Sequence, residues 1–435
     1  MGLNRRDLFK AAGVGIVAAS LETGFSNKVF ASHVSDEELK FQKPSPNSPR
    51  VVIVGAGWSG LTIAKYIKTQ DSNIDVVLVD KRSEFFSCPT SNLWLVDLLP
   101  FDFLIHDFLK PADKYGYHFC NATVYDVDRE KRRVYTDKGY LSYDILVLAP
   151  GIAYEYSEWI KDPKDVEIAR KRYPAAFIPG SEHLALKRKI QEFEEGTFAL
   201  TVPPGMDYRC LPGPYERAAL IAWYFKENKI KGKVVLVDPH AQAPVKAKLF
   251  QSAYDKLKDY IEYYPNTTIK AVDVNKKKII TEQWGDLDFT DGSIYPTCKA
   301  AGIVYKAGLV KKGEKWPSID PLKYHFMGDE RVYVTGDARN QPFSKSGNTS
   351  NSEGHYIAKL IVAKLNGKDI PWQSPETLCY SAVEKEKAGW IDVKYAYDPQ
   401  KGFSFADPKV DENATESNYK AYIEWAKGLF RDMFG

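Results

Sequence analysis

Several features are missing from this chain of 435 residues, and each absence excludes a class of function. The five cysteines, Cys88, Cys120, Cys210, Cys298 and Cys379, form no CxxC pair and no CxxCH, so the chain has no c-type haem attachment site of its own. The seven histidines are scattered without ligand spacing, which gives no metal site. Charge of one sign is also lacking. The formal net charge is +3, and the first 31 residues carry two more basic than acidic groups, so the remainder sits near +1. That balance offers no electrostatic case for nucleic acid. Long apolar runs are absent too: Ala11 to Leu21 is too short and weak for a comfortable bilayer span. What is present is ordinary for a globular protein. The apolar fraction is 44% and the charged fraction 27%, so a sizeable core in two or three domains is expected.

The N-terminus reads as a leader rather than as fold. Asn4-Arg5-Arg6-Asp7-Leu8-Phe9-Lys10 precedes the modest apolar run, and small residues follow near Ala31. This has the form of a twin-arginine export signal over residues 1–31. Export by that route lets a protein fold around its cofactor before it leaves the cytoplasm, so periplasmic residence is expected. In an oxidising compartment, distant cysteines pair by default, and an odd count leaves one over.

The stretch from Val51 to Lys81 organises the rest. Val51 to Val54 reads as a buried strand, and Gly55, Gly57 and Gly60 follow at the GxGxxG spacing. Leu61, Ile63, Ala64 and Ile67 mark a helix, and a second apolar strand, Val76 to Val79, ends at Asp80. Gly55 permits the tight turn, Gly57 lets backbone approach a pyrophosphate, and Gly60 lets helix and strand pack closely. The helix N-terminus offers free N–H groups to phosphates, and Asp80 can accept bonds from ribose hydroxyls. An acid about 20 residues after the glycines is the context that makes the motif credible.

Further along, Tyr143 to Ala149 is a buried strand ending in Pro150-Gly151. A second unit repeats the order of strand (Phe198 to Val202), turn, helix (Tyr215 to Asn228) and strand (Lys233 to Asp238). Its turn, Pro203 to Pro214, lacks the glycine fingerprint, and prolines replace backbone donors there. The framework of a nicotinamide domain is expected without its phosphate site. Arg331 to Asp337 is a strand ending in Gly336-Asp337, followed by a small-residue turn from Gly347 and a helix expected over His355 to Leu365. The final helix, expected over Tyr419 to Phe434, places Tyr422, Trp425, Leu429 and Met433 on one side, a stripe that usually packs on its own protein.

Together these residues resemble the flavoprotein subunit family of flavocytochrome c sulfide dehydrogenase. The carriers are Val54-Gly-Ala-Gly-Trp-Ser-Gly60, the Cys88-Pro-Thr-Ser-Asn92 loop, Tyr208-Arg-Cys-Leu-Pro-Gly-Pro-Tyr-Glu-Arg217, Val334-Thr-Gly-Asp337, Lys345-Ser-Gly347, Leu378-Cys-Tyr-Ser381 and Asp432-Met-Phe-Gly435. The wider group includes sulfide:quinone oxidoreductases and, more distantly, the glutathione reductase fold. The resemblance implies an α/β protein with two Rossmann-like dinucleotide-binding domains and a small C-terminal α+β domain. The expected division is a leader at 1–31, a linker at 32–49, an FAD-binding domain at 50–155 and 301–366, a degenerate NAD(P)-like domain at 156–300 and a C-terminal interface domain at 367–435.

The resemblance also implies roles. FAD would be held by Gly55, Gly57, Gly60, Asp80, Lys81, Gly151, Gly336, Asp337 and Gly347, and attached through Cys88. Cys210 and Cys379 match the family's redox-active disulfide. Cys210 also precedes a helix, where the macrodipole favours a thiolate. Glu216 matches an acid near that disulfide, suited to proton transfer. Lys345 is assigned to placing positive charge near the reduced flavin. Sulfide would be oxidised to sulfur or polysulfide, with electrons passing to a separate c-type cytochrome subunit. Cys120 and Cys298 have no family role; they either pair with each other or stay free. Three rival readings remain: a sulfide:quinone oxidoreductase, an NAD(P)H-dependent reductase, which the missing glycines oppose, and a non-catalytic FAD-containing subunit that binds a cytochrome.

Overall fold

The structure is a computed structural model that describes residues 36–435, so the leader expected at 1–31 lies outside the described residues. Strand Arg50–Val54 is buried along its whole length and pairs in parallel with Asp75–Asp80 on one side and Ile145–Leu148 on the other. A continuous apolar run suits a strand covered on both faces, because no position along it meets water. Six strands make up this sheet, in the order His325–Phe326, Asp329–Val334, Ile145–Leu148, Arg50–Val54, Asp75–Asp80, His118–Asn121, and all pairings except the first are parallel.

The strand order changes direction beside Arg50–Val54, and in such sheets ligands bind beyond the carboxyl ends of the strands at that crevice. Here Gly55 has φ +105°, and a Cβ on it would stand 2.3 Å from the Ala149 carbonyl oxygen. Gly60 is tighter still, since its Cβ would meet the Gly55 carbonyl oxygen at 1.9 Å. Helix Trp58–Gln70 therefore rests directly on the turn. Helix Gly347–Leu365 packs across it, with Gly354 against Thr62. That second helix begins eight residues before His355. Its first two turns are buried but polar (Asn348, Thr349, Ser350, Asn351), so they lack the apolar period that marks the rest. Ser346 caps it by accepting from the Thr349 N–H at 3.3 Å.

The chain passes to the second unit along Ile152–Glu155 and returns along Thr297–Ala300, which pair antiparallel. Between them lies a parallel four-stranded sheet in the order Ile261–Tyr264, Lys231–Val237, Glu195–Thr201, Asp291–Ser293. Helix Gly213–Glu227 packs on it, with Ala218, Ala219, Ile221, Ala222 and Phe225 fully buried, as the apolar spacing implies. The expected α/β class with Rossmann-like units is what the chain forms.

A three-stranded antiparallel sheet, Glu376–Glu384, Lys387–Asp398 and Gly402–Thr415, leads into the final helix, Glu416–Phe434. Tyr422, Leu429 and Met433 are buried, so its apolar stripe packs on the same protein. The helix is also fastened by charge. The Asp432 carboxylate accepts from Tyr66 Oη at 2.6 Å, Asn351 Nδ2 at 2.8 Å and His355 Nε2 at 3.0 Å. Among the described residues no helix is long and apolar enough to cross a membrane.

Burial raises the Asp432 carboxyl, but its donors, His355 first, outweigh that and hold it far below the usual carboxylate range. A depressed folded value means that the stabilisation is complete above the unfolded value near pH 4 and is lost as pH falls. Asp432→Asn should cost about 1.5–3 kcal/mol at neutral pH, the range for hydrogen bonds to a charged group. Denaturant unfolding at about pH 7 and about pH 3 should show that difference shrinking in acid. An equal difference at both would contradict this account.

Candidate functional site

Two neighbouring cavities occupy the crevice. The larger, about 690 Å³, runs over Gly55, Gly57, Asp80, Lys81, Gly151, Gly336 and Asp337, so these sequence-predicted residues are brought together. Its size is in the range of a cofactor site, about 300–1,000 Å³. The residues fit a dinucleotide. A Cβ built on Gly57 meets nothing within 4 Å, so the backbone there faces open cavity. Helix Trp58–Gln70 begins with no side chain capping its first N–H groups, which leaves them free for phosphate. Asp80 accepts from the Ala56 N–H at 2.7 Å and pairs with Arg82 at 3.1 Å. Burial alone would raise its carboxyl, but Arg82 and the Ala56 N–H bring it below the ordinary value, so it stays a ribose-ready anion.

Asp337 lies at the far wall. It pairs with Arg209 at 3.1 Å and accepts from Ser350 Oγ at 3.3 Å. Its loop is held from behind by Glu353, which accepts from the Gly336 N–H and pairs with Arg339 at 2.6 Å, both side chains being fully buried.

Arg209 also lines the second cavity, a narrow space of about 50 Å³ walled by Cys88, Cys210, Cys379, Glu216 and Arg217. Water occupies about 30 Å³ in the liquid, so this space takes only an ion or molecule of a few atoms. Its three cysteines come from three parts of the chain. Cys88 follows strand Glu84–Phe86, Cys210 precedes helix Gly213–Glu227, and Cys379 is on strand Glu376–Glu384. All five cysteines are free thiols in this structure. Cys120 and Cys298 sit in different apolar cores, which rules out their pairing.

Cys210 is held in a left-handed conformation, φ +59°, with its N–H donating to the Lys345 carbonyl at 2.9 Å. Gly213 makes room for it, since a Cβ there would stand 2.9 Å from Cys210 Sγ. The expected thiolate is not favoured. Burial pushes the Cys210 thiol up, and nearby Cys379 and Glu216 push it further, while Lys246 and Arg209 only partly oppose them. Desolvation outweighs the helix dipole because the sulfur lies inside the protein rather than at an exposed helix end. Burial likewise raises the Cys88 thiol against Arg209 and Arg217. Cys88 Sγ lies 3.7 Å from His183 Nε2.

Glu216 is buried and fully engaged. It accepts from Asn92 Nδ2 at 2.9 Å, the Ala382 N–H at 2.8 Å and Tyr422 Oη at 3.4 Å. Burial raises its carboxyl despite these donors. Lys345 lines neither cavity. Its ammonium donates to the Asp337 and Arg339 carbonyls at 3.1 and 2.8 Å and lies 3.6 Å over the Trp316 ring. Burial lowers it to about 7, with Arg339 adding to the effect. Gly347 serves packing, since a Cβ there would stand 2.7 Å from Pro89 and 2.8 Å from Trp58. Sequence reasoning missed Asn92, Arg209, Arg217 and Lys246. The two arginines stand within the Tyr208–Arg217 stretch, while Lys246 is an isolated loop lysine with no signal around it.

In the second unit, Asp238 sits where a nicotinamide domain places its ribose acceptor. It is fully buried and already accepts from Tyr215 Oη at 2.7 Å, Tyr263 Oη at 2.6 Å and the His240 N–H at 2.9 Å, and it lies 2.7 Å from His240 Nδ1.

A parallel sheet with a glycine-lined dinucleotide cavity, beside a thiol-lined pocket that shares Arg209 with it, defines a dinucleotide-dependent α/β oxidoreductase. Comparison with known proteins narrows this. Residues 183–289 match the model for the central part of the sulfide dehydrogenase [flavocytochrome c] flavoprotein chain, and residues 53–121 match that of the NAD(P)-binding Rossmann-like domain. The mitochondrial sulfide:quinone oxidoreductase of Dictyostelium discoideum is 22% identical over 92% of this chain and 91% of its own length. The sulfide dehydrogenase flavoprotein chain of Chlorobaculum thiosulfatiphilum is 46% identical over 43 residues, 10% of this chain and 90% of that sequence. External NADH-ubiquinone oxidoreductase 2 of Saccharomyces cerevisiae is 21% identical over 77% of this chain and 67% of its own length. The chain spans only 27% of the type II NADH:quinone oxidoreductase of Staphylococcus epidermidis. The solved sulfide:quinone oxidoreductase of Aquifex aeolicus superposes with a TM-score of 0.72 at 16% identity, covering 89% of this chain and 92% of that one. The chain belongs to the family of FAD-dependent oxidoreductases related to sulfide:quinone oxidoreductase.

Two of the three motif glycines should separate binding from folding. Gly57→Ala meets no protein atom but intrudes on the cavity, so the flavin-to-protein absorbance ratio should fall while thermal unfolding of cofactor-free protein stays nearly unchanged. Gly60→Ala collides with backbone and should abolish the soluble fold. Normal flavin content in both variants would refute this cradle.

Proposed function

We propose that this chain oxidises sulfide through a Cys210–Cys379 disulfide and passes the electrons by way of FAD to a separate c-type cytochrome, in the periplasm. The observation that carries the reading is the small cavity that Cys210, Cys379 and Glu216 all line, with Arg209 shared between it and the dinucleotide cavity. Its volume suits hydrosulfide and excludes a nicotinamide ring.

Hydrosulfide attacks the disulfide, leaving one cysteine as a persulfide and the other as a thiolate. A second hydrosulfide removes the outer sulfur as a disulfane anion, which leaves one thiol and one thiolate. Closing the pair again releases two electrons and one proton. Bound FAD supplies the two-electron acceptor that this closure requires. Glu216, with its carboxyl raised by burial, is the base at hand for the proton. Arg209 and Arg217 keep the cavity positive toward incoming anions. Cys88, on the same wall, is the point of covalent cofactor attachment in this reading. The twin-arginine-like leader supports the periplasmic site, and the match over residues 183–289 supports the cytochrome as acceptor.

An anaerobic titration of flavin absorbance tests the core of this. Sulfide should bleach the flavin, and NADH should not, because Asp238 has no acceptor to spare. Cys210→Ser and Cys379→Ser should each lose sulfide-dependent bleaching while staying yellow. Bleaching by NADH, or full activity in either variant, would overturn the reading. Reoxidation faster by quinone than by a c-type cytochrome would move the assignment to a quinone reductase. Cys88→Ala should make the flavin extractable by acid; extractable flavin in the unmodified protein would rule out the covalent link.

A further inference from the structure

Lys246 is the buried cation for which the reaction above gives no role. It lies just before helix Ala247–Lys256, in a left-handed conformation with φ +57°, and is only 3% exposed. Its ammonium is turned toward strand Glu376–Glu384. It donates to Ser381 Oγ at 2.8 Å and to the Cys379 carbonyl at 3.1 Å, and it lies 3.7 Å from Cys379 Sγ. Among the described residues, none of the ion pairs involves it. Lysine is almost never fully buried unless it is paired, because desolvating an ammonium is expensive. A left-handed lysine adds backbone strain, of a kind that persists where surrounding structure imposes it and clusters at active sites. The neutral oxygens of Ser381 and Cys379 orient the ammonium without neutralising it. The ionisable atom in hydrogen-bond contact with it is Cys379 Sγ, while Glu216 and Cys210 feel its charge without such a contact.

We propose that Lys246 is a catalytic residue of this site: its ammonium pairs with Cys379 Sγ and makes Cys379 the thiolate of the reduced Cys210–Cys379 pair. The inference rests on the sulfide-oxidising reading for its place in a reaction, but not for its chemistry. Two electrons and one proton break the S–S bond. The proton stays on Cys210 and the charge goes to Cys379. Of the other groups facing the pair, Arg209 favours an anion on Cys210, and two more do not choose between the sulfurs. Glu216, from helix Gly213–Glu227, acts against an anion on either sulfur, and Tyr422, from the final helix, is coupled to both. Burial raises both thiols. At Cys379 the first opposing influence is Lys246, whose hydrogen bond reaches that sulfur alone. At Cys210 the charges of Cys379 and Glu216 add to burial and come ahead of the opposing charges of Lys246 and Arg209. Re-closure joins the Cys379 thiolate to Cys210, gives two electrons to the flavin that the dinucleotide cavity would hold, and releases the Cys210 proton beside Glu216.

The test uses reduced holoprotein and no sulfide. Alkylation of each cysteine by iodoacetamide is followed by peptide mass spectrometry across pH. The midpoint is read rather than the absolute rate, because restricted access scales the rate at every pH. In the unmodified protein the Cys379 midpoint should lie below that of Cys210. Lys246→Gln should raise the Cys379 midpoint by about a unit or more, slowing its modification about tenfold near neutral pH. Lys246→Arg should keep most of the original profile. A lower midpoint at Cys210, or an unchanged Cys379 profile in Lys246→Gln, would overturn the proposal. Should Lys246→Gln fail to hold flavin, the comparison of the two cysteines in the unmodified protein still decides. A low Cys379 midpoint in a protein that sulfide does not bleach would sink the sulfide reading and leave this one standing.

Discussion

The Glu216 carboxylate is the interaction on which the assembly of this molecule depends. It sits on the first turn of a helix in the second unit and binds Asn92 from the first and Ala382 and Tyr422 from the C-terminal segment. Asn92 in turn accepts from Arg217 Nε at 3.0 Å, and Arg217 donates to the Ala176 carbonyl at 2.8 Å. One buried acid thus fixes how three parts of the chain meet, and they meet at the cysteines. A buried donor left without its acceptor costs about 1–3 kcal/mol. The alignment of Cys88, Cys210 and Cys379 is therefore coupled to a group that also has the chemistry of a base. The two roles are compatible because Asn92 and Tyr422 are neutral donors, which can stay bonded to the carboxyl group in either protonation state.

A second buried charge plays the same part for the cofactor side. Arg339 and Glu353 are both inaccessible and pair at 2.6 Å. Breaking such a pair by removing one partner typically costs about 3–5 kcal/mol, since the other is left as an uncompensated charge. Their remaining bonds go to the Gly336 N–H, the Thr335 hydroxyl and the carbonyls of Gln341, Phe343 and Ser344. The loop that carries Asp337 is therefore rigid from behind. So is the segment leading to Lys345, whose carbonyl holds the Cys210 N–H. The wall of the dinucleotide cavity and the seat of the sulfur are two faces of one braced loop.

This explains what could be read from the sequence and what could not. The first Rossmann unit was legible because its information is local: Gly55, Gly57 and Gly60 act on neighbours a few residues away, and its strands are unbroken apolar runs. The apolar face of Gly213–Glu227 and the stripe of Glu416–Phe434 were legible for the same reason. The start of Gly347–Leu365 was not, because its first turns bury polar side chains against the cavity and hide the period. Lys345 follows a motif and looked like a charge for the flavin, yet its backbone carries the visible role while its ammonium is tied to carbonyls. The helix after Cys210 suggested a thiolate, but burial depends on the C-terminal segment closing over the site, and no local pattern encodes that. Lys246 had no pattern at all. It matters through a strand more than a hundred residues away.

The electrostatics of the small cavity follow from the same long-range closure. Arg209 and Arg217 line it and Lys246 reaches Cys379 Sγ on its wall, and among the described residues only Arg209 of these three is in an ion pair, with Asp337, which belongs to the cofactor cavity. Burying cations without counter-ions is unfavourable unless something supplies negative charge. Glu216 is the acid on that wall, and burial draws it toward its neutral form. An anion of a few atoms entering the cavity, or a thiolate formed within it, supplies the missing charge and strengthens every interaction around it in a low-dielectric setting. The free thiols, raised by burial, then mark a site left short of negative charge, in which forming a sulfur anion relieves an imbalance already present in the folded chain.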